Sequence, residues 1–317
     1  MAEEKKYVIG VDGGATKTLA VLADMSGEII KVAKGGSASL RDNGIEIACA
    51  NVSAAITKLL ASKKSANIVS AYIGFPALAE EYKKRKKEIL KQLAEDKRIK
   101  KIFKGTVDVG SDQLVAYRAG TDFKDGIVAI AGTGCVVRGW RARKEAKVNG
   151  WGWLSSEGSA FWIGNRVFLA ILKSFDGRGE KTILSEMVFK EFHLRSIDDL
   201  LIFVYKNPIS RLPQFAELCD RAAKENDGIA GQILNEVGRE ISGSVLAAAK
   251  QLVFPIGEKI PLVLVGGVFK SQLAHYSFEV NLKKEENLDF IISKPDFPVI
   301  GAVKLALENV NRHEKRN

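Results

Sequence analysis

The chain has 317 residues, 46% hydrophobic and 27% charged, which suits a folded protein of two ordinary domains and excludes a disordered one. No apolar run approaches the roughly 20 residues of a membrane span, and no apolar segment of signal-peptide type follows residues 1–6, so a cytoplasmic protein without a membrane partner is expected. Cys49, Cys135 and Cys219 are scattered with no C-x-x-C pair, which argues against a disulfide frame, a structural zinc site or a chain-local iron–sulfur cluster.

The first apolar runs, residues 7–11 and 19–23, read as strands joined by a tight hairpin turn on Gly13-Gly14. A second turn at 25–28 leads to a third strand at 29–33. A polar loop over 35–44 precedes a helix at about 45–62, with Ile45, Ala48, Val52, Ile56, Leu59 and Leu60 on one face. A strand at 68–73 is closed by Gly74 and Pro76. A basic helix at about 79–97, a short strand at 106–109 and a helix opened by Ser111-Asp112 and running to Gly120 complete the half.

The net charge of +10 raises nucleic acid as a partner. The excess is local, however: between Lys83 and Lys104 eleven Lys/Arg face three acids. Ile89, Leu90 and Leu93 fall at helical spacing inside that run, so it reads as an amphipathic helix with a solvated face, and no nucleic-acid partner is expected.

From residue 126 the order begins again. Residues 126–131 form a buried strand, 132–134 a Gly-Thr-Gly turn, 135–140 a returning strand and 145–150 a third. A helix follows at 159–173, then a long helical section at about 176–250 that the first half lacks. The pattern resumes with a strand at 260–265, the turn Gly266-Gly267, a helix, a strand at 288–292 and a final helix from about 299. A repeated β-β-β-α-β-α-β-α unit predicts two similar α/β domains with a cleft between them, and ligands at the carboxyl ends of their strands. The expected boundaries are 1–123, joined by a C-terminal helix at 300–317, and 124–299.

The glycine-rich turns at 13–14, 132–134 and 266–267 all follow such strand ends. Each exposes bare backbone N–H groups suited to phosphate oxygens. Around the first, Thr16, Lys17 and Thr18 add donors, and Asp12 is placed to hold a magnesium ion directly or through its waters. A P-loop is excluded, because Thr16 breaks the Gly-Lys-Thr spacing; Val137 breaks a dinucleotide fingerprint. His193, His275 and His313 are isolated and read as fillers rather than metal ligands.

The stretch Gly10-Val-Asp-Gly-Gly-Ala-Thr-Lys-Thr18 resembles the first phosphate motif of the actin/hexokinase/Hsp70 ATPase superfamily. Ala131-Gly-Thr-Gly134 resembles its second, Val265-Gly-Gly-Val-Phe-Lys-Ser271 its adenosine motif, and Pro298-Val-Ile-Gly-Ala-Val303 its closing connecting helix. The stretch from Gly150 to Gly164 is similar to the Gly-Trp-Gly…Asp-Glu-Gly-Ser-Ala-Tyr-Trp-Ile-Gly signature of the BadF/BadG/BcrA/BcrD group, which includes N-acetylglucosamine kinases and archaeal hexokinases. The resemblance implies two duplicated ribonuclease H-like, actin-like ATPase domains with ATP and Mg2+ as cofactors. It implies that Gly13, Gly14, Thr16 and Lys17 cradle the β- and γ-phosphates, that Gly132, Thr133 and Gly134 clamp from the other domain, and that Gly266, Gly267 and Lys270 line the adenosine pocket. Asp12 is then the metal residue, and Asp112 falls where the sugar kinases carry their catalytic base; its alternative is a helix N-cap.

For the acceptor, Ser39, Arg41, Asp112, Gly150, Trp151 and Glu157 are the substrate-binding candidates. Trp151, Trp153, Phe161 and Trp162 suit either stacking on a sugar or building a core; most are expected in the core, with Trp151 in the pocket. Two departures from the family pattern stand out. Ser156 replaces the signature's acid before Glu157. The loop Gly36-Ser-Ala-Ser-Leu-Arg41 replaces the usual Asn and aromatic, and its Arg41 suits an acidic sugar. The expected activity is transfer of the γ-phosphate of ATP to a hydroxyl of a hexose or N-acetylhexosamine, with a 2-keto-3-deoxygluconate kinase as the alternative. An ATPase activator of a 2-hydroxyacyl-CoA dehydratase is an alternative of another class; it needs cysteines that bridge a [4Fe–4S] cluster across a dimer. A ROK-like regulator would need a helix-turn-helix before the strand that begins by Tyr7. A homodimer is compatible with the sugar-kinase reading.

Overall fold

The computed structural model describes residues 5–61, 66–76, 78, 83–100, 102, 105–295 and 297–314. In chain order they form β1 (Lys6–Gly13), β2 (Thr18–Asp24), β3 (Ile29–Gly35), α1 (Leu40–Leu60), β4 (Asn67–Phe75), α2 (Lys86–Glu95), β5 (Thr106–Ser111) and α3 (Asp112–Gly120). There follow β6 (Gly126–Ala131), β7 (Cys135–Arg141), β8 (Lys144–Val148), α4 (Ala160–Phe175), α5 (Leu184–Glu191), α6 (Ile197–Lys206), α7 (Pro208–Arg211), α8 (Phe215–Lys224) and α9 (Gly228–Leu252). The chain closes with β9 (Lys259–Val265), α10 (Gln272–Leu282), β10 (Asp289–Ser293) and α11 (Ile300–Glu314). It divides into two compact units, Met1–Asp122 with Pro295–Asn317, and Phe123–Lys294. Among the described residues no helix is long and apolar enough to cross a membrane.

The first unit holds a mixed sheet in the order β3-β2-β1-β4-β5, antiparallel on one side of β1 and parallel on the other. Alternation along β1 and β2 sends side chains to opposite faces. Ile9, Val11, Ala20 and Leu22 pack with the inner face of α1 and with Ile89 and Leu93 of α2. Val8, Val21 and Ala23 pack on the other face with Val115 of α3 and Ala302, Val303 and Ala306 of α11. The sheet is thus covered on both faces, the arrangement that parallel strands require.

The second unit repeats the plan with the order β10-β9-β6-β7-β8. Its core joins alternate residues of β6 and β7 (Ile127, Ala129, Ala131, Cys135, Val137) to α4, α8, α9 and α10. The helical section between α4 and β9 resolves into five helices, α5 to α9.

Several boundaries differ from expectation for physical reasons. Helix α1 begins at Leu40 rather than 45, but Gly44 has φ 73° and separates an entry turn from the regular helix beyond it. The basic helix is shorter than 79–97: a 3-10 turn, Lys83–Arg85, leads into Lys86–Glu95, while 79–82 lie outside the described residues. Its charges are partly paired, Arg85 with Glu88 and Lys86 with Asp108. The first hairpin is a four-residue loop, with Gly13 opposite Thr18 and Gly14 N–H donating to Lys17 O at 2.8 Å. Neither Gly13 nor Gly14 adopts a positive φ, so left-handed turn geometry is not why glycine stands there.

Candidate functional site

In the first unit the site gathers at the carboxyl ends of three adjacent strands. Asp12 of β1 is opposite Gly74 of β4, and Phe75 is opposite Ser111 of β5. Asp12 and Asp112 therefore lie about two strand spacings apart, roughly 10 Å. Close backbone approach explains the glycines. A Cβ on Gly13 would lie 2.5 Å from Gly74 O, and one on Gly74 would lie 3.3 Å from Asp112 Cα. Asp12 is largely buried, and burial pushes its carboxyl up to about 6 against the opposing pull of Lys17. Lys17 and Thr16 are exposed at the tip of the hairpin loop.

Asp112 is the first residue of α3, yet it does not cap it. Ser111 Oγ accepts from Leu114 N–H at 3.1 Å and does the capping. The helix end is therefore held by Ser111 rather than by the Asp112 carboxylate. Asp112 is half-buried, with Oδ1 closed off from solvent.

Thr18 is not placed to serve a phosphate. It is fully buried, and its hydroxyl donates to Gly36 O at 2.7 Å. Together with the Ala38 N–H bond to Gly14 O at 3.0 Å, this ties the loop at 36–38 to the hairpin. Ser39 is buried as the N-cap of α1; it accepts from Asp42 N–H and donates to Asp42 Oδ2 at 2.6 Å. Asn43 and Asn51 both donate to Ser37 O, at 3.3 and 2.7 Å. Arg41 is exposed on the entry turn. The loop is thus stiffened by Asp42, Asn43 and Asn51, none of which was singled out from sequence. The Ser-x-x-Asp spacing of 39 and 42 was the available sign.

In the second unit the turn at 132–134 is closed by Gly132 N–H donating to Gly134 O at 2.9 Å. The turn at 266–267 runs directly against it, because β6 and β9 are neighbours. Gly266 has φ 117°, and a Cβ there would sit 2.1 Å from Ala131 O. Gly132 and Gly267 face open space, which a Cβ would fill. Lys270 is exposed at the end of the 3-10 helix Gly267–Lys270. Replacing Gly266 by Ala is expected to cost about 2–4 kcal/mol, strain and overlap together, as read by urea unfolding.

The loop after β8 is held by Asn149, whose Nδ2 donates to Glu157 O at 2.8 Å and whose Oδ1 accepts from Gly150 N–H. Asn149 was missed as well; the Asn-Gly pair was its signal. Trp151 is 69% exposed, with Lys147 Nζ 4.0 Å from its ring centre. Trp153 is also on the surface, contrary to the expectation that most of the four aromatics are core, and meets the buried Phe161 edge-on at 5.3 Å. Trp162 packs against the core. Three glycines in the loop have positive φ, Gly150 (74°), Gly152 (134°) and Gly158 (80°), and Trp153 lies outside this tight path. Burial, and then the nearby Glu157 carboxylate, push the Cys135 thiol up to about 12.

The glycine turns, the doubled sheet order and the 150–164 stretch agree with a family model matched over residues 9–306. The chain belongs to the BadF/BadG/BcrA/BcrD ATPase family. Membership in this ATPase family implies that the chain uses ATP. It is 28% identical over 313 residues to the N-acetylmuramic acid/N-acetylglucosamine kinase of Clostridium acetobutylicum, covering 95% of this chain and 98% of that protein. It is 26% identical over 322 residues to the N-acetyl-D-glucosamine kinase of Dictyostelium discoideum, covering 96% and 99%. Among crystal structures, a candidate N-acetylglucosamine kinase from Chromobacterium violaceum has the same fold, with TM-score 0.72 at 18% identity over 96% of this chain and 99% of that one. The two mixed five-stranded sheets of this family member are those of the actin-like ATPase fold.

Proposed function

We propose that the chain is an ATP-dependent carbohydrate kinase that moves the γ-phosphate of ATP to a hydroxyl of a hexose or N-acetylhexosamine. The observation that carries this is the placement of Asp112: at the first turn of α3, relieved of capping by Ser111, one strand beyond Gly74 and two beyond Asp12. The likeness to sugar kinases over nearly the full length of both chains supports the same reading.

In this mechanism Asp112 accepts the proton of the attacking sugar hydroxyl. The oxygen lone pair forms the new bond to the γ-phosphorus, the bond to the bridging oxygen breaks, and ADP leaves. The backbone of Gly13 and Gly14, with Thr16 and Lys17, holds the β- and γ-phosphates. The turn at Gly132, Thr133 and Gly134 offers further backbone N–H groups to the nucleotide, and Gly266, Gly267 and Lys270 take its adenosine. A magnesium ion fits Asp12, a single buried carboxylate near open hairpin backbone, since Mg2+ is commonly held by one or two carboxylates with waters and phosphates. It supplies spreading of the phosphate charge. Arg41, Gly150, Trp151 and Glu157 contact the sugar, while Ser39 acts by holding the loop.

The activator alternative is disfavoured by the cysteines. All three are buried, and burial pushes the thiols of Cys49 and Cys135 up to about 12 and that of Cys219 upward too. Cluster ligation needs reachable thiolates. An ADP-release assay across glucose, N-acetylglucosamine, glucosamine and 2-keto-3-deoxygluconate tests the proposal. Turnover is expected with a neutral hexose or N-acetylhexosamine. Turnover with the sugar acid alone would assign Arg41 to a carboxylate and favour the second acceptor class; no turnover with any of them sinks the kinase.

A further inference from the structure

We infer that Ser156 is a positioning residue for the glycine turn at 132–134, on the nucleotide side of the reaction, and does not meet the sugar. This rests on the kinase reading for its consequence, not for its geometry. Ser156 stands where the similar signature carries an acid, and it is 3% exposed. Its Oγ accepts from Cys135 N–H at 2.7 Å. Cys135 is the first residue of β7, immediately after Gly134. A Cβ on Gly134 would lie 3.5 Å from the same oxygen, so the turn rests against the hydroxyl.

The segment around Ser156 fixes the turn at two further points. Ala160 N–H donates to Gly132 O at 2.8 Å, and Phe161 N–H donates to Thr133 O at 3.3 Å. Ser159 caps α4 by accepting from Trp162 N–H. The first amides of α4, which a helix cannot satisfy internally, are thus spent on the carbonyls of the turn. Their pull draws those carbonyls, the groups that would repel a phosphate, toward α4. Ser156 completes the set by taking the N–H at the turn's exit.

The test is the Ser156→Ala variant, with KM for ATP and KM for the sugar measured separately. A buried N–H left without an acceptor predicts a rise in KM for ATP of roughly 5- to 30-fold. KM for the sugar stays within about twofold of the parent's, and Ser156→Thr restores the ATP value. Ser156→Cys, similar in size with a weaker acceptor, shifts ATP in the same direction by less, and covers the case in which the Ala variant fails to fold. A rise in KM for the sugar alone, or no change in either constant, overturns the inference. Direct binding of AMP-PNP in the absence of sugar separates the two readings: weakened binding in Ser156→Ala upholds the role of Ser156 even if no sugar is phosphorylated.

Discussion

Asp112→Asn is expected to lower kcat by roughly 100- to 10,000-fold while AMP-PNP binds as tightly as to the parent protein. The amide keeps the shape and leaves the α3 cap intact, because Ser111 supplies that bond. What it loses is the ability to take a proton. Since the cap is independent of residue 112, the melting temperature should change little, which separates this outcome from a structural one. A coupled assay with matched calorimetry of AMP-PNP binding reads both quantities. Turnover above about a tenth of the parent rate would remove Asp112 as the base.

Asp12→Asn should act in opposite directions on activity and stability. The carboxyl of Asp12 is raised by burial to about 6 in the folded protein, against 3.8 when unperturbed. Between those values the native state binds more protons than the unfolded chain. Stability associated with Asp12 is therefore fully present below about pH 4 and is lost as pH rises through 6. At pH 8 the ionised carboxylate costs roughly 3 kcal/mol as an upper bound. An amide does not titrate, so metal-free Asp12→Asn should be about 1–3 kcal/mol more stable than the parent at pH 8, with the gap closing towards pH 4. Its magnesium-dependent turnover should nonetheless collapse. Urea unfolding across that pH range, beside the coupled assay, checks both halves. A variant less stable at pH 8 would show that the carboxylate is held by partners rather than penalised by burial.

The doubled plan was legible because the turns after β1, β6 and β9 all carry glycine, and because strand and helix periods alternate cleanly from Tyr7 to Gly120. The reason for the first glycines was not. Gly13 looks like a turn residue in sequence, whereas contact with Gly74 across the sheet excludes a side chain there. The start of β8 was placed late because the turn before it, Ala142-Arg143, adopts positive φ at both residues without glycine or asparagine. Ser39 and Thr18 illustrate the other limit. A hydroxyl near a site reads as a ligand contact, but whether it is consumed by a cap or a backbone carbonyl depends on residues 3 and 18 positions away.

Helix α11 has a bearing on how the molecule is made. It packs on β1 so closely that a Cβ on Gly10 would lie 2.8 Å from Val303 N. Its residues Ala302, Val303 and Ala306, with Val299 just before it, complete one of the two cores of the first unit. Residues 123–294, which form the second unit, are synthesised between these two partners. During translation the second unit can therefore fold as an insert while the N-terminal sheet waits, one face only partly covered by α3, for α11 to emerge. Contacts spanning nearly the whole chain are slow to close, and an exposed sheet face in the interval invites association.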